Sequence, residues 1–597
     1  MKNVVIIGAG ASGMSAAYAL SLSPEKFKVT VIDTQSQAGG MATSYPIDAS
    51  KYGADYINDG VQGASPQFYN SYAMFDLLGF KPTPVGFQVS FGNDPEKNFW
   101  SNVFPSPILD RFQADIKKFG KVLKIIKKLE IIFAMMEVRT MLKLFRFSKD
   151  FGDVIVYPLV ALFFGTGQQT PYISSAILER VFMDPSMRLF EYSDKTFLAS
   201  IPPMRAFPRL SMVFESWQRK ISSNAPQSTF SFGREVYRVV RDAKGVAVFS
   251  HDADSPDPER NTQGTGERKN EREERFDELI MCTDADAALK ILGEGATWAE
   301  RRVLGNVKYY WDLTVTHNDV EYMKKYYRLE YEKSLANPRA LDPSEDKEGY
   351  DQVKFAEENF KPLYYIRSYE EDKSRIEMSF DLTNYQPQFK GVPSTGPKEG
   401  EDPEQDGGKD NKKSRPQRES HDSSSGSPSG SGSGTPPSPS SQKHSQSLPS
   451  EDPNSNSKDS KRNPSDVDTS DISNHVFQTI FLDHEHYSQL WTEGEIDHEK
   501  VILKKWWKQQ SHAASHYRGT VGAMMFLNGK HHTQYAGAWT VLNMHEIAVV
   551  SGFSAAYKLG APYPFKDDDD CKRLFALHLG LDHASRMRAE DRKGFFM

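Results

Sequence analysis

Gly8, Gly10 and Gly13 stand in a G-x-G-x-x-G spacing, and Asp33 follows twenty residues after the last of them. This set is suited to holding a pyrophosphate and a ribose. The first glycine permits a tight turn, the second lets backbone approach a phosphate, and the third lets a helix pack closely on a strand. The N–H groups at Ala11 and Ser12 open a helix whose positive end faces the phosphates. Asp33 is placed to accept hydrogen bonds from a ribose and to repel a 2′-phosphate, which argues against NADP.

The elements that must position these residues surround them. An apolar β-branched run (VVII) leads into the glycines, a helix-like segment (MSAAYALSL) follows, and a second apolar run (KVTVID) ends at Asp33. Strand, turn, helix and strand make one βαβ unit, so a dinucleotide site is expected.

A second glycine pair, Gly39–Gly40, lies a few residues beyond the second strand, and a D-G-V-Q stretch follows at 59–62. Near the other end, TQYAGAW leads into a helix expected to start near 543–546 and to end at Gly560 as a C-cap. Together these resemble the flavin-containing amine oxidase and phytoene desaturase superfamily. The resemblance covers about a third of the chain. It implies an α/β fold: a Rossmann-like FAD-binding domain of amine-oxidase type with an inserted α+β substrate domain.

The resemblance also implies site residues. Gly39, Gly40 and Met41 would cover the FAD pyrophosphate, with Met41 standing where the family usually has arginine. Gly60 and Val61 would pass near the flavin, Val236 would lie against the adenine, and Thr283 near the cofactor. Gly537, Trp539, Glu546 and Ala548 would fall at the flavin edge, where a helix N-terminus stabilises a reduced flavin. Ala538 replaces the acidic residue usual in amine oxidases. The G-A-W plus H-E form more closely resembles a bacterial branch of FAD-binding oxidoreductases associated with unsaturated and cyclopropane fatty acids, which implies a lipophilic substrate. His545, Glu546 and Trp539 are candidate catalytic residues; alternatively, Glu546 complements the helix dipole and His545 only caps the turn. Neither Cys282 nor Cys571 has a flavin-attachment context, so the FAD is expected to be noncovalent.

The implied domains are discontinuous. Residues 1–79, 206–300 and 518–565 would form the FAD domain, and 80–205 with 301–517 the substrate domain. Residues 390–470 are Ser, Pro, Gly, Asp, Lys and Asn with hardly any apolar side chains, so they are expected to be disordered. A charged loop is expected at 252–275, a core helix at 66–78, a helix over 208–221, a helix end at Gly165, and a helix over 500–510. Trp311 to His317 reads as a strand.

Residues 112–147 alternate Lys and Arg with Ile, Leu, Phe and Met at helical spacing. They read as core-packed helices with a solvated basic face, or as an interfacial segment that meets a membrane peripherally, or as a wall of a lipophilic chamber. His484 and His486 alternate on an expected strand face, and His512 and His516 are spaced i, i+4 on an expected helix. Neither pair has a third ligand at a convincing spacing and H-E-x-x-H is absent, so no metal site is expected.

The chain has 597 residues, a net charge of −7 and two cysteines. That length implies several domains, the charge gives no ground for a nucleic-acid partner, and the cysteines fit a reducing compartment. No secretory signal precedes the first strand, and the longest apolar run, 154–164, is too short to span a bilayer. The C-terminal GFFM matches no peroxisomal or prenylation signal. A cytoplasmic location is expected. The functions that fit are an FAD-dependent oxidoreductase moving hydride from an amine or unsaturated chain to the flavin, a redox-neutral FAD-dependent double-bond isomerase of fatty acids, and a non-catalytic FAD-bound scaffold.

Overall fold

Val4 to Ile7 are all at most 4% exposed. A strand buried on both faces needs no polar alternation, which is why it reads as an unbroken apolar run. In the computed structural model, which describes residues 1–164, 167–184, 189–198, 200–253, 269–392 and 467–592, this strand (Lys2–Ile7) is the centre of a five-stranded parallel sheet. The order is Thr229–Ser231, Phe27–Ile32, Lys2–Ile7, Glu278–Met281, Thr533–Tyr535. Helix Ala11–Ser21, buried throughout, packs on this sheet together with helices Leu210–Asn224 and His545–Leu559. The fold is α/β, and three widely separated stretches of chain build the sheet.

A second, seven-stranded sheet carries the order Val501–Gln510, Tyr309–His317, Phe477–Phe481, Ile376–Asp381, Tyr364–Ser368, Val89–Phe91, Trp100–Ser101. All pairs are antiparallel except Tyr364–Ser368 with Val89–Phe91. Helices from 108–183 cover one side of it through a large aromatic and aliphatic core.

Five sequence expectations change in kind or in extent. Residues 500–510 form a strand, not a helix. They pair with Tyr309–His317 along the whole length, and Val, Ile and Trp are strand formers that a short amphipathic run does not distinguish from helix. His484 and His486 lie on a helical turn, His484–Tyr487, because Asp483 takes a left-handed φ of +58° that ends the strand. His512 precedes helix Ala514–Gly519, so only His516 is helical; both are fully buried. Residues 112–147 divide into three helices: Gln113–Lys128, Glu130–Ala134 and Val138–Leu144. The helix expected at 66–78 runs Tyr69–Leu77.

The expected disordered insert lies outside the described residues at 393–466. So do 254–268 of the charged loop and the expected helix end at Gly165. No helix among the described residues is long and apolar enough to cross a membrane.

Candidate functional site

The three glycines do separate jobs. Gly8 has a φ of +105°, and a Cβ there would lie 2.7 Å from the Cys282 carbonyl. A Cβ on Gly13 would lie 1.8 Å from the Gly8 carbonyl, so only glycine lets the helix start this close to the strand. A Cβ on Gly10 would meet nothing nearer than the Gly40 Cα at 3.9 Å. Space is therefore left at Gly10, on the side facing the second glycine pair. Gly10 and Gly39 form a short parallel bridge, and the Gly39 N–H donates to the Ala9 carbonyl at 3.0 Å. No side chain caps the helix at Gly10, so its first N–H groups, at Ala11 and Ser12, are free for an anion.

Two cavities meet at this turn. The smaller, about 200 Å³, is bordered by Gly8, Asp33, Arg234, Val236 and Thr283. Asp33 accepts the Ala9 N–H at 2.6 Å on Oδ2 and the Gln35 N–H at 2.8 Å on Oδ1. The Thr34 side chain also hydrogen-bonds the carboxylate, which leaves about one of its roughly four acceptor positions for a hydroxyl. Burial raises the Asp33 pKa, opposed by those two N–H groups and by the Thr34 side chain.

The larger cavity, about 440 Å³, touches Gly10, Ala11, Ser12, Gly39, Met41, Gly60 and Val61 from the amino-terminal end and Gly537, Trp539, His545 and Ala548 from the carboxyl end. Thr283 borders both cavities. Part of the large cavity's wall is apolar: Phe87, Leu162, Val181, Met204, Tyr364 and Phe380. The residues present thus offer an acidic ribose pocket, a bare backbone turn with free N–H donors, and a chamber. That is the sequence of environments an extended dinucleotide requires.

At the carboxyl end the Gly537 N–H donates to Ser551 Oγ at 2.9 Å, and Trp539 Nε1 donates to the Thr283 carbonyl at 3.0 Å. The indole N–H is thereby committed to positioning the wall. Helix His545–Leu559 starts without a side-chain cap and ends at Gly560, in a left-handed conformation.

His545 and Glu546 part company. Glu546 is turned away from the chamber. Its Oε1 accepts the Asn70 N–H and Nδ2, and its Oε2 the Ser71 N–H and Oγ, each at 2.8 Å. It satisfies the start of helix Tyr69–Leu77, so cofactor contact is corrected to a structural cap. His545 does reach the chamber. Its Nδ1 is 3.0 Å from Ser71 Oγ, while Nε2 has no protein partner. Because Ser71 donates to Glu546, the network assigns the proton to Nδ1 and leaves a lone pair on Nε2. Burial holds its pKa down to about 4.

The sequence reading missed the contribution of the second sheet. Lys505 Nζ lies 2.6 Å from Asp59 Oδ2, and Thr43 Oγ1 donates to Asp59 Oδ1 at 2.7 Å. Gln478 Nε2 donates to the Asp59 carbonyl at 2.9 Å, and Gln62 Nε2 to Gln478 Oε1 at 2.8 Å. These contacts fix the 59–62 loop against the chamber. Lys508 borders the chamber and pairs with Asp286 at 2.5 Å. Asp312, also on its wall, is buried with its pKa pushed well up, mainly by desolvation. The strand expected at 311–317 was the available signal for Asp312; Lys505 and Lys508 were hidden by the helical reading of 500–510. Among the described residues, no group of three His, Cys, Asp or Glu is placed to hold a metal.

The family model of an NAD(P)-binding Rossmann-like domain matches residues 6–75. No curated protein sequence matches the chain. Cyclohexylamine oxidase from Brevibacterium oxydans IH-35A superposes with a TM-score of 0.50 at 11% identity, covering 94% of this chain and 98% of that one. A wild-type putrescine oxidase bound to putrescine gives 0.51 at 10% identity, covering 94% and 99%. The chain has the fold of these amine oxidases along nearly its whole length.

Proposed function

We propose that the chain is an FAD-dependent oxidoreductase that takes hydride from a lipophilic organic substrate, an amine or an unsaturated chain. The observation that carries this reading is the pair of cavities meeting at Thr283 across the Gly8–Gly13 turn. Asp33 and Val236 would hold the adenosine half, and Gly10, Gly39 and Gly40 the pyrophosphate. Gly60, Val61, Trp539, Ala548 and the helix start at His545 would border the flavin ring. FAD, bound noncovalently, supplies the two-electron acceptor; the protein supplies orientation and a dry site.

The apolar part of the chamber wall favours a lipophilic substrate. The two solved neighbours bear the names of amine oxidases, which supports amines as the first class to test. His545, whose Nε2 has no protein partner, is the base we propose, and Asp312, whose carboxyl is pushed up by burial, the acid. On this reading 1–79, 206–300 and 518–565 hold the cofactor, and 80–205 with 301–517 the substrate.

The test is the visible spectrum of the purified protein, followed by anaerobic addition of lipophilic amines and unsaturated fatty acids. A yellow protein bleached by one class supports the reading and names that class. Product formed with neither bleaching nor consumption of an acceptor would move the assignment to a redox-neutral isomerase. A colourless protein that takes up no added FAD would end it.

A further inference from the structure

Residues 112–147 hold nine Lys and Arg against three acidic residues, in a chain whose net charge is −7. Their buried face is complete: Ile116, Phe119, Val122, Leu123 and Ile126 pack inward, with Phe119 edge-on to Phe182 at 6.1 Å. Yet apolar side chains remain outside. Of the seventeen large hydrophobic residues exposed among the described ones, six fall here: Ile125, Leu129, Ile131, Ile132, Met135 and Leu144. Ile131 is 78% exposed. Backbone hydrogen bonds link them turn by turn, from Leu129 N to the Ile125 carbonyl, Ile132 N to Leu129, and Met135 N to Ile132. Ile125, Leu129, Ile132 and Met135, with Ile131 beside them, form one ridge; Leu144 is exposed on the separate helix Val138–Leu144.

Cations flank the ridge. Lys117, Lys121, Lys124, Lys128 and Lys143 are exposed and make no ion pair among the described residues. We infer that this ridge docks the protein on an anionic lipid bilayer, with Ile131 and its neighbours entering the acyl boundary and the lysines meeting the headgroups. Apolar residues beside unpaired lysines on short amphipathic helices match that interface. A second copy of the chain fits less well, because a two-fold contact would bring the lysine rims together. The helix Gln113–Lys128 meets the chamber only indirectly, through Phe119 against Phe182, which follows the chamber-lining Val181 on helix Ala176–Met183. Delivery of a lipophilic substrate from the bilayer rests on the function proposed above; binding to lipid does not.

The experiment is cosedimentation of the full chain with vesicles of equal phosphatidylglycerol and phosphatidylcholine, and with pure phosphatidylcholine. Binding is expected to the anionic vesicles alone and to weaken roughly tenfold in 0.5 M salt. The I131D/I132D and K121E/K124E/K128E variants are each expected to lose at least about tenfold in binding with unchanged thermal melting, since all five positions are exposed. Absent binding by the natural chain, or binding that neither variant weakens, would overturn the inference. So would a dimer in sedimentation velocity that I131D/I132D disperses without any vesicle binding, which would make the ridge a contact between copies. If vesicles bind a protein that takes up no FAD, this inference stands and the enzymatic reading falls.

Discussion

Lys505 Nζ lies 2.6 Å from Asp59 Oδ2, and the Asp59 side chain is 1% exposed. One residue belongs to an edge strand of the antiparallel sheet, the other to the loop that follows the second glycine turn. The pair is therefore a clasp between the proposed cofactor and substrate domains. Breaking a buried pair leaves a desolvated charge behind, which costs more than the pair contributes. Lys505→Met is expected to destabilise by about 3 kcal/mol and to weaken cofactor binding, whereas K505M/D59N regains part of that loss. Thermal unfolding of both single variants and the double one checks this.

The glycines predict a split between folding and binding. Gly13→Ala places a Cβ 1.8 Å from a carbonyl oxygen and is expected to abolish soluble protein. Gly10→Ala meets nothing closer than 3.9 Å, so the protein is expected to fold. Its added methyl then occupies the phosphate approach, and FAD affinity is expected to fall roughly tenfold to a hundredfold, 1.4–3 kcal/mol. Flavin titration monitored by fluorescence separates the two variants.

Glu546 is expected to matter for stability and not for turnover. Glu546→Gln turns an NH₂ group toward donors at Asn70 and Ser71, at an expected cost of about 2–3 kcal/mol. The rate per bound flavin is expected to stay within about twofold of the natural chain, because the carboxylate does not face the chamber. His545→Phe is expected to do the reverse, keeping the fold and lowering the rate. Melting temperature and single-turnover flavin reduction distinguish them.

Acid is expected to unfold the protein in two windows. Burial holds His317 and His512 down to about 3, and His516 and His545 down to about 4, against an ordinary 6.5. Below pH 6.5 the unfolded chain takes protons that the folded one refuses. Each histidine then removes up to about 1.4 kcal/mol of stability per pH unit until its folded pKa is reached. Glu300 behaves as an ordinary depressed carboxylate. Arg241, Tyr535 and the Thr297 N–H outweigh its desolvation and hold it at about 2. Its contribution is complete above pH 4.5 and is lost as pH falls toward 2. Unfolding free energies from denaturant titrations between pH 7.5 and 3.5 are expected to fall steeply below 6.5, and Arg241→Met to lower them throughout by roughly 3 kcal/mol.

The sequence alone was enough for whatever depends on neighbours along the chain. The glycine spacing, the unbroken apolar strand and Asp33 specify a βαβ unit locally, because a tight turn and a close helix leave glycine no substitute. The helix at 545–559 was legible for the same reason, with Gly560 ending it. What needed tertiary structure was each choice between two partners. Residues 501–510 carry no local reason to be a strand; pairing with Tyr309–His317 makes them one, and that brings Lys505 to Asp59 across 446 residues. His545 and Glu546 are adjacent and both reach Ser71, but the direction of one helix leaves the first bordering the chamber and turns the second onto the backbone N–H groups of Asn70 and Ser71. Sequence spacing gives the period of a helix but not its rotation against its neighbours, so only packing decides which of two reactive side chains meets the cavity.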